Sequence, residues 1–192
     1  AAFAEMSDGP DSLRLANIGN LGHPFTVDKY LDDTATKSKM VIVRILGGQA
    51  FWPYGLEQFA IRLGAAGVPF VALPGDDKPE EGLRRLSTVA DADYDALWSY
   101  LIEGGPDNSA NFLRYAGAML AGGEKPVAAK LLLRAGIYWP GEADVSLENL
   151  RENHWVKGQP VAALVFYRAL VQGAGLHPVN RLVRQLLREG LN

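Results

Sequence analysis

Short apolar runs rich in β-branched residues, separated by stretches with helical spacing, constrain this chain more than any other feature. Leu13 to Ile18, Met40 to Leu46 and Val68 to Leu73 read as buried strands, each too short for a comfortable helix and bounded by Gly or Pro. Tyr54 to Ala66 places Leu56, Phe59, Ala60 and Leu63 on one helical face, and Gly67 followed by Pro69 stops it. Val27 to Ala35, carrying Val27, Tyr30 and Leu31, is a weaker helix of the same kind. Strand, helix, strand, helix, strand at this spacing predicts an α/β fold, a parallel sheet with flanking helices.

The middle of the chain changes character. Asp91 to Glu103 aligns Tyr94, Leu97, Trp98 and Leu101, and Gly104-Gly105-Pro106 ends that helix. Asp107 or Asn108 is placed to cap a second helix running to Leu120, closed by Gly122-Gly123. The pair reads as an inserted helical hairpin whose role is packing. Ala135 to Lys157 is loop-rich, with a turn at Tyr138-Trp139-Pro140-Gly141 and a short helix near Ser146 to His154. A further strand-like run, Val161 to Phe166, precedes an amphipathic helix from Val179 to Arg188. One strand and one helix make no core alone, so these residues read as the first β–α unit of a following α/β domain. The division expected is an α/β domain over residues 1–125, a connector over 126–158, and the start of a second domain over 159–192.

Composition narrows the function classes. In 192 residues, 19 Lys and Arg face 22 Asp and Glu, a formal net charge of −3, which offers no basic footprint for nucleic acid and no polybasic membrane patch. No apolar run reaches the roughly 20 residues that span a bilayer, and the first residues lack the pattern of a signal peptide. With 0 cysteines, disulfides, thiolate metal sites and cysteine nucleophiles are excluded. A cytoplasmic protein is the simplest expectation.

In open α/β sheets ligands bind beyond the carboxyl ends of the strands, so the residues there carry the candidate chemistry. After the second strand comes Gly47-Gly48-Gln49-Ala50-Phe51-Trp52-Pro53-Tyr54-Gly55. Paired glycines let backbone N–H groups approach an anion, yet this is neither a dinucleotide nor a phosphate-loop motif; a plain turn with aromatics closing the sheet is the favoured reading. After the third strand, Asp76-Asp77 within Pro74-Gly75-Asp76-Asp77-Lys78-Pro79 reads as a metal or acid–base pair or as an ordinary turn. Arg44, inside an apolar strand, wants a carboxylate partner from the protein or a ligand. His23, His154 and His177 show no metal-ligand spacing and read as unrelated loop residues. No nucleophile elbow is present.

Several longer phrases resemble one family: Leu13-Arg14-Leu15-Ala16-Asn17 with His23-Pro24 and Asp28-x-Tyr30; Val43-Arg44-x-Leu46-Gly47-Gly48-x-x-x-Trp52-x-Tyr54-Gly55-x-Glu57; Leu73-Pro74-Gly75-Asp76-Asp77; Gly104-Gly105-Pro106-Asp107-Asn108 with Asn111-x-Leu113; and Val165-Phe166-Tyr167-Arg168. In order and spacing they look like the N-terminal region of the large subunit of aerobic cobaltochelatase, a relative of the porphyrin-binding subunit of magnesium chelatase. The resemblance implies ATP-dependent insertion of cobalt(II), the substrate metal, into hydrogenobyrinic acid a,c-diamide in cobalamin biosynthesis. It further implies a large subunit that binds the tetrapyrrole and partners that use ATP and Mg: an AAA+ ATPase subunit and a subunit with an integrin-type metal-binding domain. It implies too that this chain is a piece of a longer one, lacking its first strands and holding no bound cofactor, so no catalytic or metal-binding residue is assigned. A tetrapyrrole with carboxylate and amide arms wants Arg or backbone donors around an aromatic wall. Arg44, Gly47, Gly48, Trp52 and Tyr54, with Asp76 and Asp77 nearby, are the substrate-binding candidates. The alternatives are a non-catalytic ligand-binding or subunit-docking module and a magnesium-chelatase-type porphyrin binder.

Overall fold

The computed structural model describes residues 12–132, 134–142, 145–173 and 175–192. In chain order it contains helix α1 (Pro24–Asp33), strand β1 (Val41–Ile45), helix α2 (Pro53–Ala66), strand β2 (Phe70–Pro74), and helices α3 (Glu81–Leu86), α4 (Asp91–Glu103), α5 (Gly105–Ala121), α6 (Leu147–Asn153), α7 (Ala169–Gln172) and α8 (His177–Arg188). The chain divides into two compact units, one of residues 1–103 and 107–130, the other of 104–106 and 131–192.

In the first unit β1 and β2 pair in parallel, Val43 opposite Ala72 and Arg44 opposite Leu73. Alternation then sorts side chains to two faces. Val43, Ile45, Phe70 and Ala72 pack with Val27 and Leu31 of α1, Leu56, Phe59 and Leu63 of α2, and Leu83 of α3. Val71 and Leu73 pack with Tyr94, Leu97 and Tyr100 of α4 and Tyr115 of α5. Helices therefore cover both faces, which explains why every residue of β2 is buried. Each fully buried Leu or Phe contributes about 1.5–3 kcal/mol of apolar transfer. The outer edge of β2 is closed by side chains: Phe70 N–H donates to Thr88 Oγ1 at 2.9 Å and Ala72 N–H to Ser87 Oγ at 2.9 Å.

Two strands expected from sequence are not strands. Leu13 to Asn17 has no strand partner among the described residues, and the sheet there has two strands. The Asn17 side chain accepts from Gly19 N–H at 2.8 Å and turns the chain into a 3-10 helix, Ile18–Leu21. Val161 to Phe166 likewise lacks a neighbouring strand, and Val165 is 96% exposed. An extended segment without a partner gains no ladder hydrogen bonds, whatever its propensity.

Capping also departs from the reading. α5 begins at Gly105, so Asp107 and Asn108 lie within its first turn rather than ahead of it. Asn108 is buried and exchanges two 2.8 Å hydrogen bonds with the backbone of Lys130, pinning the segment after the hairpin. His23 is no idle loop residue: its Nδ1 accepts from Phe25 N–H at 3.2 Å and caps α1. α3 is a further short helix, of 6 residues, between β2 and α4. In the second unit Ser146 and Asn149 form a capping box for α6. Tyr138 Oη donates to Asn180 at 2.7 Å, and the His154 ring stacks on Trp139 at 4.7 Å while meeting Glu142 at 2.6 Å. Among the described residues no helix is long and apolar enough to cross a membrane.

Candidate ligand site at the carboxyl ends of the strands

Two loops leave the carboxyl ends of β1 and β2. The first runs through Leu46, Gly47 and Gly48 into a 3-10 turn, Gln49–Phe51, and then Trp52 at the head of α2. Gly47 and Gly48 both have positive φ, 94° and 70°, so the turn is one that side-chain-bearing residues rarely adopt. The second loop runs from Pro74 through Gly75, Asp76, Asp77 and Lys78 to Glu80, which precedes α3.

The loops are laced together at glycines. The Glu80 carboxylate rests against Gly48 where a Cβ would stand. In return, a Cβ on Gly82 would meet Gln49 Oε1 at 2.5 Å, and one on Gly75 would meet the Leu46 amide nitrogen at 2.6 Å. Side chains from neighbouring elements then pin the second loop. Arg44 Nη2 donates to the Gly75 carbonyl at 2.9 Å, and Trp98 Nε1 of α4 donates to the Asp76 carbonyl at 3.1 Å. Asp76 Oδ1 accepts from Lys78 N–H at 3.2 Å, closing an Asx turn. Burial pulls the Arg44 guanidinium below its ordinary pKa, and the nearby Asp76 charge opposes that shift.

The aromatic candidates separate. Trp52 is 5% exposed; its Nε1 donates to the Leu21 carbonyl at 2.8 Å, and its ring lies over Gly55 and 5.1 Å from Phe59. It is a wedge between the Ile18–Leu21 turn and α2. Tyr54 lies at the surface, with Oη donating to the Asp28 carboxylate at 3.0 Å beside Arg62. Burial first, and that hydrogen bond second, raise its pKa above the ordinary phenol value. The apolar groups that do face solvent here are Leu46, 67% exposed, and Phe51, 65% exposed, with Phe51 Cβ 3.6 Å from where a Cβ on Gly47 would stand. Sequence reasoning passed over Leu46, Phe51 and Glu80; only the position of Phe51 beside the paired glycines hinted at it.

The structure thus brings Arg44, Gly47, Gly48, Asp76 and Asp77 to one mouth. Trp52 stands behind it in the core, and Tyr54 is tied to α1. Beside the mouth, the exposed Leu46 and Phe51 add apolar surface. Among the described residues no three His, Asp or Glu stand close enough together to hold a metal ion. A hollow of about 440 Å³ lies elsewhere, among Met40, Thr88, Asp93, Met119 and Lys125. There Tyr115 Oη donates to Asp93 at 2.8 Å and Lys125 pairs with the same carboxylate.

Over its full length the chain is 42% identical, across 198 residues, to the aerobic cobaltochelatase subunit CobN of a Sinorhizobium species, and spans 16% of that protein. It is 33% identical over 196 residues to the aerobic cobaltochelatase subunit CobN of Pseudomonas aeruginosa, and spans 15% of it. The catalytic subunit of cobaltochelatase from Mycobacterium tuberculosis shares the fold, with a TM-score of 0.58 and 23% identity over 93% of this chain and 13% of that one. Residues 98–192 match the CobN/Magnesium Chelatase family. Residues 98–192 thus belong to the CobN/Magnesium Chelatase family, and the chain as a whole is similar along its own length to a short stretch of two aerobic cobaltochelatase subunits.

Proposed function

We propose that this chain works as part of the tetrapyrrole-binding large subunit of an ATP-dependent cobaltochelatase, which inserts cobalt(II) into hydrogenobyrinic acid a,c-diamide during cobalamin biosynthesis. One observation carries the reading: 42% identity to a cobaltochelatase subunit sustained over 100% of the chain. Both curated relatives are cobaltochelatase subunits, which favours cobalt over magnesium. In this reading ATP and Mg are used by partner subunits, one an AAA+ ATPase and one bearing an integrin-type metal-binding domain, and the complex works in the cytoplasm.

The chain's own contribution is a binding surface at the carboxyl ends of β1 and β2. Gly47 presents backbone, Gly48 lets the Glu80 carboxylate close over the turn, Arg44 holds the opposing loop in place, and Asp76 and Asp77 form the acidic side of the mouth. Trp52 and Tyr54 act from behind, fixing the approach of α1 and α2. The proposed domain pattern places this surface in residues 1–125, a connector in 126–158, and the opening of a second α/β domain in 159–192. A chimera tests the function: this chain replaces the matching segment of the Sinorhizobium subunit, and cobalt insertion is assayed with that subunit's partners and ATP. Retained insertion is expected. A soluble chimera that binds its partners yet inserts no cobalt would refute the reading.

A further inference from the structure

At the amino ends of β1 and β2, away from the paired-glycine turn, the first unit holds the hollow of about 440 Å³. Met40 stands just before β1, Val89 just ahead of α4, and Met119 and Leu120 near the end of α5. These apolar side chains form its wall, and Asp93 and Lys125 are its charged groups. Small-molecule sites have this size and this make-up, mostly apolar with a few converging polar groups.

Both protein donors meet the same carboxylate oxygen. Tyr115 Oη donates to Asp93 Oδ1 at 2.8 Å, and Lys125 Nζ donates to that oxygen too. Asp93 Oδ2 accepts from no described residue, although only 15% of the side chain is exposed. The Lys125 ammonium carries three N–H groups, of which Asp93 takes one, and it stands 5.4 Å from the centre of the Tyr115 ring. An open acceptor and open donors therefore lie side by side on a carboxylate–ammonium pair without net charge. Near neutral pH these states are fixed. The Lys125 bond keeps the Asp93 carboxyl below its ordinary pKa, and burial first pushes Tyr115 up to about 12, so its hydroxyl stays a donor.

Three ligand chemistries compete for such a pair. A carboxylate gains Lys125 but faces the open oxygen of Asp93. An ammonium gains Asp93 but faces Lys125. A primary amide satisfies both and leaves the pair intact, its N–H donating to Asp93 Oδ2 and its carbonyl accepting from Lys125. Polar groups left unpaired, and like charges brought together, are what reject the other two. Methionine is flexible and polarisable and makes favourable contacts with aromatic rings, so Met40 and Met119 suit an aromatic body.

We propose that this hollow binds a small, uncharged carboxamide with an aromatic body, its amide edge on Asp93 and Lys125 and its ring against Met40 and Met119.

Methyl-labelled methionine reads the site directly, because the chain has 3 methionines and two of them, Met40 and Met119, line the hollow. The labelled chain is titrated at neutral pH, by NMR, with phenylpropionamide and with phenylpropionate and phenylpropylammonium, which carry the same body. The amide should shift the Met40 and Met119 methyl lines saturably, with a dissociation constant on the order of 1 mM. The acid and the ammonium should bind about 10-fold more weakly. Lys125→Met keeps an apolar stem on a side chain that is 45% exposed and removes its charge. It should weaken the amide about 10-fold and strengthen the ammonium, which the Asp93 carboxylate is then free to receive. Unshifted Met40 and Met119 lines up to the solubility of the amide would overturn the proposal. Equal affinity for all three compounds would do so as well, leaving only an apolar surface. A preference unchanged by Lys125→Met would take the amide off the charged pair and overturn it equally.

Discussion

Replacing Gly48 by Ala separates two reasons for glycine at the ligand mouth. Gly48 sits at φ 70°, ψ −164°, a conformation essentially reserved for glycine. Forcing a Cβ into it costs about 1–3 kcal/mol. The same Cβ also falls on the Glu80 carboxylate, which must swing away. Because that group ends a flexible side chain, moving it adds about 0.5–1.5 kcal/mol, the cost of an off-rotamer torsion. Gly48→Ala should therefore destabilise the first unit by about 2–4 kcal/mol, measured by urea unfolding followed through tryptophan emission. Gly67→Ala is the control. Gly67 is left-handed too, at φ 68° and ψ 21°, but a Cβ there meets nothing within 4 Å, so its cost should be about 1 kcal/mol. Adding Glu80→Ala to Gly48→Ala should return about 1 kcal/mol at most. If Gly48→Ala costs no more than Gly67→Ala, the lacing of the two loops through Gly48 is wrong.

Trp52→Phe keeps the aromatic wedge but strands the buried Leu21 carbonyl, so a loss of about 1–3 kcal/mol in the same unfolding assay is expected. Asn108→Ala removes both hydrogen bonds to Lys130 and should free the segment after α5, seen as limited proteolysis near residue 130 at a lower protease dose. The Lys125 hydrogen bond, ahead of the Tyr115 one, holds the Asp93 carboxyl below its ordinary value of 3.8. Its contribution to stability is therefore present above the unfolded-state pKa and lost as pH falls through the lower folded-state pKa. Asp93→Asn should flatten that acid limb. Tyr115 is pushed up to about 12, chiefly by burial and then by its bond to Asp93, so stability should fall as pH rises from 10 towards that value. Tyr115→Phe should remove this part of the alkaline limb.

Much of the first unit is legible along the chain because its signals are local. α4 runs from Asp91 to Glu103, where an apolar stripe meets a glycine pair, and α2 stops at the Gly67 expected to stop it. The strands β1 and β2 appear within a residue or two of their runs. What fails is whatever depends on a distant partner. Leu13–Ile18 and Val161–Phe166 have strand composition, but a strand is a relation between two segments, and neither finds its neighbour among the described residues. At the site the paired glycines could be read, since their geometry is their own. The lacing of Gly48 by Glu80 could not, because those residues lie far apart in sequence and meet only once β1 and β2 align. Trp52 reads as part of an aromatic wall for a ligand, yet its ring is buried over Gly55 and Phe59 with its N–H on the distant Leu21 carbonyl. Leu46 and Phe51, which do face solvent, look in sequence like any other apolar residue.

The claim that this region carries part of a tetrapyrrole site is tested most directly by titrating the purified chain with hydrogenobyrinic acid a,c-diamide and following tryptophan emission. The account predicts saturable quenching that an unrelated chromophore does not reproduce, weakened when Arg44→Ala releases the Gly75 carbonyl. A folded chain whose emission is unchanged throughout the titration would contradict it and leave these loops as scaffold.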